Sequence, residues 1–320
     1  MSHSIIVVLP VLEEAQRDRI RVSAEKHGFS LVFCESDQQA LPYLPEAEIV
    51  LGQSTFLSQN ATSLRWLCTP SAGVDHFLAP DVFASPNAVL TNSSGAYGVT
   101  IAEHIIMTTL EVFRRQQEYN EIVKQHAWQR DLPICSIKGS RITLLGTGDI
   151  GQEAALRLRS FGPRQILGVN RGGRNPKELF DRVVQQEDLD SVLPETDLLI
   201  LSLPNTPETH HMLNKRRLAL LPENTLIVNV GRGNAIDEKA LEAELRSGRL
   251  RAALDVFEKE PLDPSSSLWA CPNLLITPHI AGNMTLPYTR ERIVSLFLED
   301  LENYCAGRPL SHQVDLQRGY

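Results

Sequence analysis

Three short segments carry reactive side chains, and each follows an apolar run: Asn229-Val230-Gly231-Arg232-Gly233, Asp255-Val256-Phe257-Glu258-Lys259-Glu260-Pro261-Leu262 and Thr277-Pro278-His279-Ile280-Ala281-Gly282. A guanidinium fork holds a carboxylate and polarises a carbonyl beside it. A histidine next to a carboxylate gives or takes a proton near neutral pH. Together they suit hydride delivery to a carbonyl adjoining a carboxylate, where a cation holds both groups and an acid protonates the alkoxide as it forms. Taken singly, a histidine after a strand is more often structural, and so is an arginine in a glycine-rich turn. Placement at successive strand ends is what lifts Arg232, His279 and the glutamates above that reading.

Hydride chemistry needs a carrier, and Gly146-Thr147-Gly148-Asp149-Ile150-Gly151 is a GxGxxG sequence in the right setting. The run Arg141 to Leu145 reads as a strand before it, Gln152 to Phe161 as a helix after it, and the next strand ends at Val169. Gly146 permits the tight turn, Gly148 lets backbone amides approach a pyrophosphate, and Gly151 lets helix and sheet pack closely. The position after the following strand, where Asp or Glu would select NAD, reads Asn170-Arg171. Arg171 and Arg174 flank Gly172-Gly173 and suit a 2'-phosphate, so NADP(H) is expected over NAD(H), which stays open as a second cofactor. The bland alternative is two solvated loop arginines.

These groups need a scaffold. Short apolar runs at Ser4 to Leu9, Ser30 to Cys34, Glu48 to Leu51, Leu64 to Cys68 and Ala88 to Thr91 alternate with helical patterns, as in a parallel sheet covered by helices. A second series runs through Arg141 to Leu145, Gln165 to Val169, Leu198 to Leu203, Thr225 to Val230, Arg251 to Leu254 and Leu274 to Ile276. Between the series, apolar spacing predicts one long helix from Ile101 to His126. A last helix, Leu286 to Tyr304, is long enough to carry the chain back onto the first unit. The expected architecture is α/β with two doubly wound Rossmann-like domains, 99–282 being inserted into a discontinuous flavodoxin-like domain of 1–98 and 283–320.

Composition narrows the function classes. The 320 residues hold 31 Lys and Arg against 39 Asp and Glu, a formal net charge of -8, which opposes contact with nucleic acid or an anionic membrane. The five cysteines form no CxxC pair and no zinc spacing, so no metal site is expected and reduced thiols in a cytoplasmic protein fit best. The opening MSHSIIVVLPVLEEAQ has too short an apolar stretch for a signal peptide or a membrane span. His104, Glu103 and His210-His211 read as structural or as supporting the reactive residues from behind.

The sequence resembles the D-isomer-specific 2-hydroxyacid dehydrogenases, within them the glyoxylate/hydroxypyruvate reductase A branch. The resemblance rests on Ser71-Ala72-Gly73-Val74-Asp75, Ile101-Ala102-Glu103-His104, the glycine loop, Leu203-Pro204-Asn205-Thr206-Pro207-Glu208-Thr209, the three reactive segments, and Gln313-Val314-Asp315 with Arg318-Gly319-Tyr320. It implies a catalytic Arg232, Glu260 rather than Glu258, and His279 as proton donor in reducing a small 2-keto acid to the D-2-hydroxy acid. It also implies that amides around Ala72, Gly73 and Val74 bind the substrate carboxylate. Asp255 and the Val230-Gly231-Arg232 backbone are implied to orient the nicotinamide amide, with Leu203 and Pro204 lining the cofactor, and a homodimer is the implied assembly. Arg251 stands where the family usually has a small residue. Rival readings are a nicotinamide-sensing regulatory protein on the same fold, or a dehydrogenase of a non-keto-acid substrate such as phosphite; a formate dehydrogenase would carry Gln at Glu260.

Overall fold

A computed structural model describes residues 3–319. It resolves two compact units: one runs to Tyr97 and resumes at Asn283, and the other is Gly98–Gly282. In the first, strands β1 (Ser4–Val7), β2 (Ser30–Phe33), β3 (Ile49–Leu51), β4 (Trp66–Cys68) and β5 (Val89–Thr91) form a parallel sheet in the order β2-β1-β3-β4-β5. That is the flavodoxin-like order. Every residue of β1, β3 and β4 is buried, which is why these strands read as unbroken apolar runs instead of alternating ones. Helices α1 (Glu14–Lys26), α2 (Asp37–Ala40) and α3 (Thr55–Asn60) connect them.

The second unit opens with α4 (Gly98–Phe113) and α5 (Gln116–Lys124). Its seven strands are β6 (Arg141–Leu145), β7 (Gln165–Asn170), β8 (Arg182–Gln185), β9 (Leu198–Leu201), β10 (Leu226–Asn229), β11 (Arg251–Leu254) and β12 (Leu274–Ile276), with α6 (Asp149–Leu158), α7 (Leu189–Val192), α8 (Lys215–Leu220) and α9 (Glu238–Arg246) between them. All pair in parallel in the order β12-β11-β10-β9-β6-β7-β8. Counted from β6 this is the 3-2-1-4-5-6 dinucleotide-binding order with one further strand at the far edge. The order reverses between β6 and β9.

Helix α10 (Pro287–Cys305) belongs to the first unit. Its Phe297 stacks on Trp66 of β4 with ring centroids 5.2 Å apart, and Tyr304 follows at 5.7 Å. Such pairs contribute about 0.5–1.5 kcal/mol each beyond the area they bury. The Tyr304 hydroxyl donates to Glu48 at 2.7 Å, so the polar tip of the ring is satisfied as well. Beyond α10, Gln313 forms an antiparallel bridge with Thr91 and Val314 is buried against the sheet. The Tyr320 of the terminal resemblance lies outside the described residues.

The expected single helix Ile101 to His126 is two helices. Arg115 takes a left-handed conformation, φ 57 and ψ 38, and its Nε donates to Glu118 at 2.8 Å, so the side chain steadies the first turn of α5. A break at a non-glycine residue costs on the order of 1 kcal/mol and no Gly or Pro announces it, so the helical reading runs straight through the polar stretch Arg114 to Glu118. The two helices differ in what they bury: α4 packs Ile101, Ala102, Ile105 and Phe113 inside, whereas α5 buries nothing. Strand β8 escaped the sequence reading because Arg182-Val-Val-Gln185 is short, lies at the sheet edge and is polar at both ends. Arg251, unexplained by the resemblance, donates to Asn224 Oδ1 at 3.0 Å and meets Cys135 Sγ at 3.5 Å.

Candidate active site

Parallel pairing puts the carboxyl ends of all strands of the second unit on one side of its sheet, and the candidate residues fall there in strand order. Asn170 ends β7, Gly146 follows β6, Leu203 and Pro204 follow β9, Val230 to Arg232 follow β10, Asp255 and Glu260 follow β11, and His279 follows β12. Neighbouring strands lie about 4.8 Å apart, so the row spans about 24 Å from Asn170 to His279.

At the glycine loop, Gly148 is the residue before α6, so the free amides of the first turn face outward. A Cβ built on Gly148 would meet nothing within 4 Å, leaving open space over the positive end of the helix. Gly151 has no such room. Its Cβ would lie 2.2 Å from the Gly146 carbonyl oxygen, so only glycine lets α6 start this close to β6. Thr147 accepts at Oγ1 from Asn170 Nδ2 at 2.6 Å, which ties the loop to the end of β7. Ile150 is half-buried in the first turn of α6, and the Asp149 carboxylate lies against Gly98, at the start of α4. Asn170 Nδ2 also donates to the Arg174 carbonyl at 2.8 Å, while its Oδ1 is buried with no partner among the described residues. Arg171 and Arg174 are exposed. The charge of Arg171 helps hold the Glu208 carboxyl below its ordinary range, after the stronger effects of Glu208's own amide and Thr206. Open room at the helix end, an orphaned acceptor and two guanidinium groups fit the phosphates and ribose of a dinucleotide.

Of the two glutamates, Glu260 meets the histidine. Its Oε2 stands 2.6 Å from His279 Nδ1, while Oε1 accepts from the Phe257 amide at 3.0 Å. Glu258 is engaged elsewhere, 2.8 Å from His211 Nε2. With a carboxylate on Nδ1, the proton at that nitrogen is fixed and Nε2 is the position left for proton exchange. His279 is half-exposed and sits in the left-handed region at φ 54, a conformation a histidine keeps only when its surroundings insist. The insistence comes from Asp255. The Asp255 carbonyl accepts from the His279 amide at 2.9 Å, and its buried carboxylate accepts from Thr277 Oγ1 at 2.6 Å and from the Ile280 and Ala281 amides at 2.9 Å each. His104 Nε2 completes the cluster, 3.2 Å from Thr277 Oγ1 and 3.8 Å from Asp255. Burial pushes His104 below its ordinary range, against the pull of the Asp255 and Glu111 carboxylates.

Arg232 is held by its turn. Asn229, almost fully buried, accepts from the Gly231 amide at 3.1 Å and donates to the Arg232 carbonyl at 2.9 Å, while Arg232 Nη1 donates to the Gly231 carbonyl at 2.8 Å. Asn229 was not singled out from sequence, although a polar residue closing an apolar strand just before a Gly-Arg-Gly turn is the available signal. Gly233 couples this turn to the next: a Cβ there would lie 1.8 Å from the Phe257 carbonyl carbon and 2.4 Å from the Glu258 amide nitrogen. Gly233→Ala is therefore expected to cost about 2–3 kcal/mol, read as a lower midpoint in thermal denaturation, since rigid backbone is what must yield. An unchanged midpoint would show that the two turns are not packed this closely.

Ala72, Gly73 and Val74 lie in the first unit, after β4. Side chains and backbone of that unit occupy the carbonyls here: Ser93 Oγ donates to Thr69, the Tyr97 hydroxyl to Pro70, the Ser93 amide to Ser71, Asn92 Nδ2 to Ala72 and Ser71 Oγ to Gly73. The amides of Ala72, Gly73 and Val74 find no acceptor among the described residues. Trp269 and Tyr288 are half-exposed, and the Trp269 indole donates to the Asp263 carbonyl. No helix among the described residues is long and apolar enough to cross a membrane.

The sequence profile of the D-isomer specific 2-hydroxyacid dehydrogenase NAD binding domain matches residues 106–281. The chain is 32% identical to glyoxylate/hydroxypyruvate reductase B of Serratia proteamaculans (strain 568), across 83% of this chain and 84% of that protein. It is also 32% identical to glyoxylate/hydroxypyruvate reductase A of Klebsiella pneumoniae (strain 342), across 88% and 87%. Among solved structures, the NADPH-dependent glyoxylate/hydroxypyruvate reductase of Sinorhizobium meliloti, in complex with NADP and sulfate, superimposes with a TM-score of 0.81 at 27% identity, covering 99% of each chain. With the sheet order of a dinucleotide-binding domain, a matching profile over more than half its length and relatives alike across most of theirs, the chain belongs to the D-isomer-specific 2-hydroxyacid dehydrogenase family.

Proposed function

We propose that the protein reduces a small 2-keto acid, of the class of glyoxylate and hydroxypyruvate, to the D-2-hydroxy acid with NADPH. The observation that carries the reading is the row of groups along one sheet edge, phosphate-binding at β6 and β7 and acid-base at β11 and β12. A bound nicotinamide supplies the hydride. Arg232 pairs with the substrate carboxylate and polarises the carbonyl, and His279 gives the proton from Nε2 while Glu260 holds Nδ1. The unmatched amides of Ala72, Gly73 and Val74 hold the carboxylate, as in other backbone anion sites. Residues 98–282 then form the cofactor domain and the remainder the substrate domain. Asp255 acts on the histidine segment, and its oxygens are so fully used there that we assign nicotinamide orientation chiefly to the Val230-Gly231-Arg232 backbone, with Leu203 and Pro204 alongside.

The preference for NADPH rests on Arg171 and Arg174 and on the lack of a carboxylate at Asn170. Charge-assisted bonds to a phosphate contribute about 1.5–3 kcal/mol each. Arg171→Ala with Arg174→Ala should thus raise KM for NADPH by about tenfold or more and leave KM for NADH unchanged. Equal effects on both cofactors would remove the assignment. Running the same assays with pyruvate, 2-oxoisovalerate and phenylpyruvate ranks substrates by size. Tight NADPH binding without turnover of any keto acid would favour a nicotinamide sensor.

We also propose a homodimer. Helix α5 buries no residue, and Val123, Trp128 and Ile134 around it are exposed, Trp128 at 95%. A lone chain rarely shows water so much apolar surface on one arm. Sedimentation equilibrium should give twice the chain mass, and a monomer at micromolar concentration would refute this.

A further inference from the structure

The glutamate that does not meet His279 is clasped from two sides. Glu258 Oε1 accepts from the Glu238 amide at 3.2 Å, in the first turn of α9, and the Glu258 amide donates back to the Glu238 carboxylate. The same Oε1 is 2.8 Å from His211 Nε2. His211 is itself pinned: it is left-handed at φ 46, its amide donates to the Asn234 carbonyl at 2.8 Å, and its ring stacks on His210 with centroids 4.1 Å apart. Leu213 bridges to Ile236, so the loop after β9 is bound to the turn that follows Arg232. Two histidines from separate segments thus grip Glu258 and Glu260, the two ends of one three-residue stretch.

We propose that Glu238 and His211 are positioning residues for the reaction: by fixing Glu258 they hold the turn that aims Glu260 at His279. Neither needs to touch substrate or cofactor. Surface ion pairs of this exposure are weak when isolated, but a reciprocal pair of bonds from backbone amides to side-chain carboxylates at a helix start, with an imidazole on one of the accepting oxygens, forms a network that fixes one geometry. The charges that face one another are Glu238, Glu258, Glu260 and His211, with His279 beyond. Desolvation first, then Glu258 and Glu260, holds the Glu238 carboxyl above its ordinary range, against the pull of the Glu258 amide and His211. Loosening the clasp would let Glu260 swing away from Nδ1, and misplacement by about 1 Å is enough to cost rate heavily.

This inference rests on the reading of Glu260 and His279 given above, and one set of assays separates the two. Wild type, Glu260→Gln, Glu238→Ala, Glu238→Gln and His211→Ala are compared as full-length enzyme for kcat of keto-acid reduction with NADPH across pH, with NADPH affinity from fluorescence. Glu238→Ala and His211→Ala should each lower kcat about tenfold, leave NADPH affinity unchanged, and move the fall of rate at high pH to lower pH, in the direction of Glu260→Gln. Glu238→Gln keeps an acceptor for the Glu258 amide and should restore most of the rate. If Glu260→Gln moves the profile and both alanine variants leave it in place, the positioning role is wrong. If Glu260→Gln itself leaves the profile unmoved, the underlying reading fails instead. A variant that unfolds is replaced by its partner, since either side of the clasp tests the claim.

Discussion

Replacing Arg232 by alanine lowers kcat/KM for the keto acid by about 10³-fold, or about 4 kcal/mol of transition-state stabilisation, while NADPH affinity stays within about threefold. The expectation follows from what the side chain does: charge on the carbonyl oxygen grows as hydride arrives, so the guanidinium binds the transition state more strongly than the ketone. Its turn is fixed by Asn229 and by the packing of Gly233, so the group is in place beforehand. Arg232→Lys should recover only part of the loss, because an ammonium matches the charge but not the two-point geometry. Steady-state rates with a keto acid, beside a fluorescence titration with NADPH, measure both quantities. A variant that loses cofactor binding and rate together would mean that Arg232 holds the cofactor loop instead.

His279→Gln is the second large effect, a fall of about 10²- to 10⁴-fold in reduction, the range general acids contribute. The pH dependence carries more information than the size. Reduction consumes the protonated imidazole, so its rate in the wild type falls as pH rises. Oxidation of the hydroxy acid needs the neutral ring, so its rate falls as pH drops. Opposite slopes in the two directions, both abolished in His279→Gln, are the expected signature. Reduction independent of pH from about 6 to 9 in the wild type would contradict the role of His279.

Much of this was legible in the sequence because the relevant physics is local. Buried parallel strands announce themselves as continuous apolar runs, and β6, β11 and β12 begin and end where those runs do. A glycine loop between a strand and a helix likewise carries its own context. What stayed hidden depends on partners distant in the chain. Nothing near Arg115 marks a left-handed break, since no Gly or Pro interrupts the stretch from Ile101 to His126. The choice between Glu258 and Glu260 came only through family resemblance; in three dimensions it is set by His211, 47 residues away, and His279, 19 away. The resemblance gives Asp255 a part in orienting the nicotinamide; only in three dimensions does its carboxylate show as collecting Thr277, Ile280 and Ala281, which holds His279 in its left-handed conformation.

The most direct test of the account is the initial rate of NADPH oxidation with glyoxylate and with hydroxypyruvate, for wild type and Arg232→Ala side by side. The account predicts NADPH-linked turnover by the wild type, slower with NADH, and nearly abolished in the variant although NADPH still binds. Turnover that survives Arg232→Ala, or none from a wild type that binds NADPH, would contradict it.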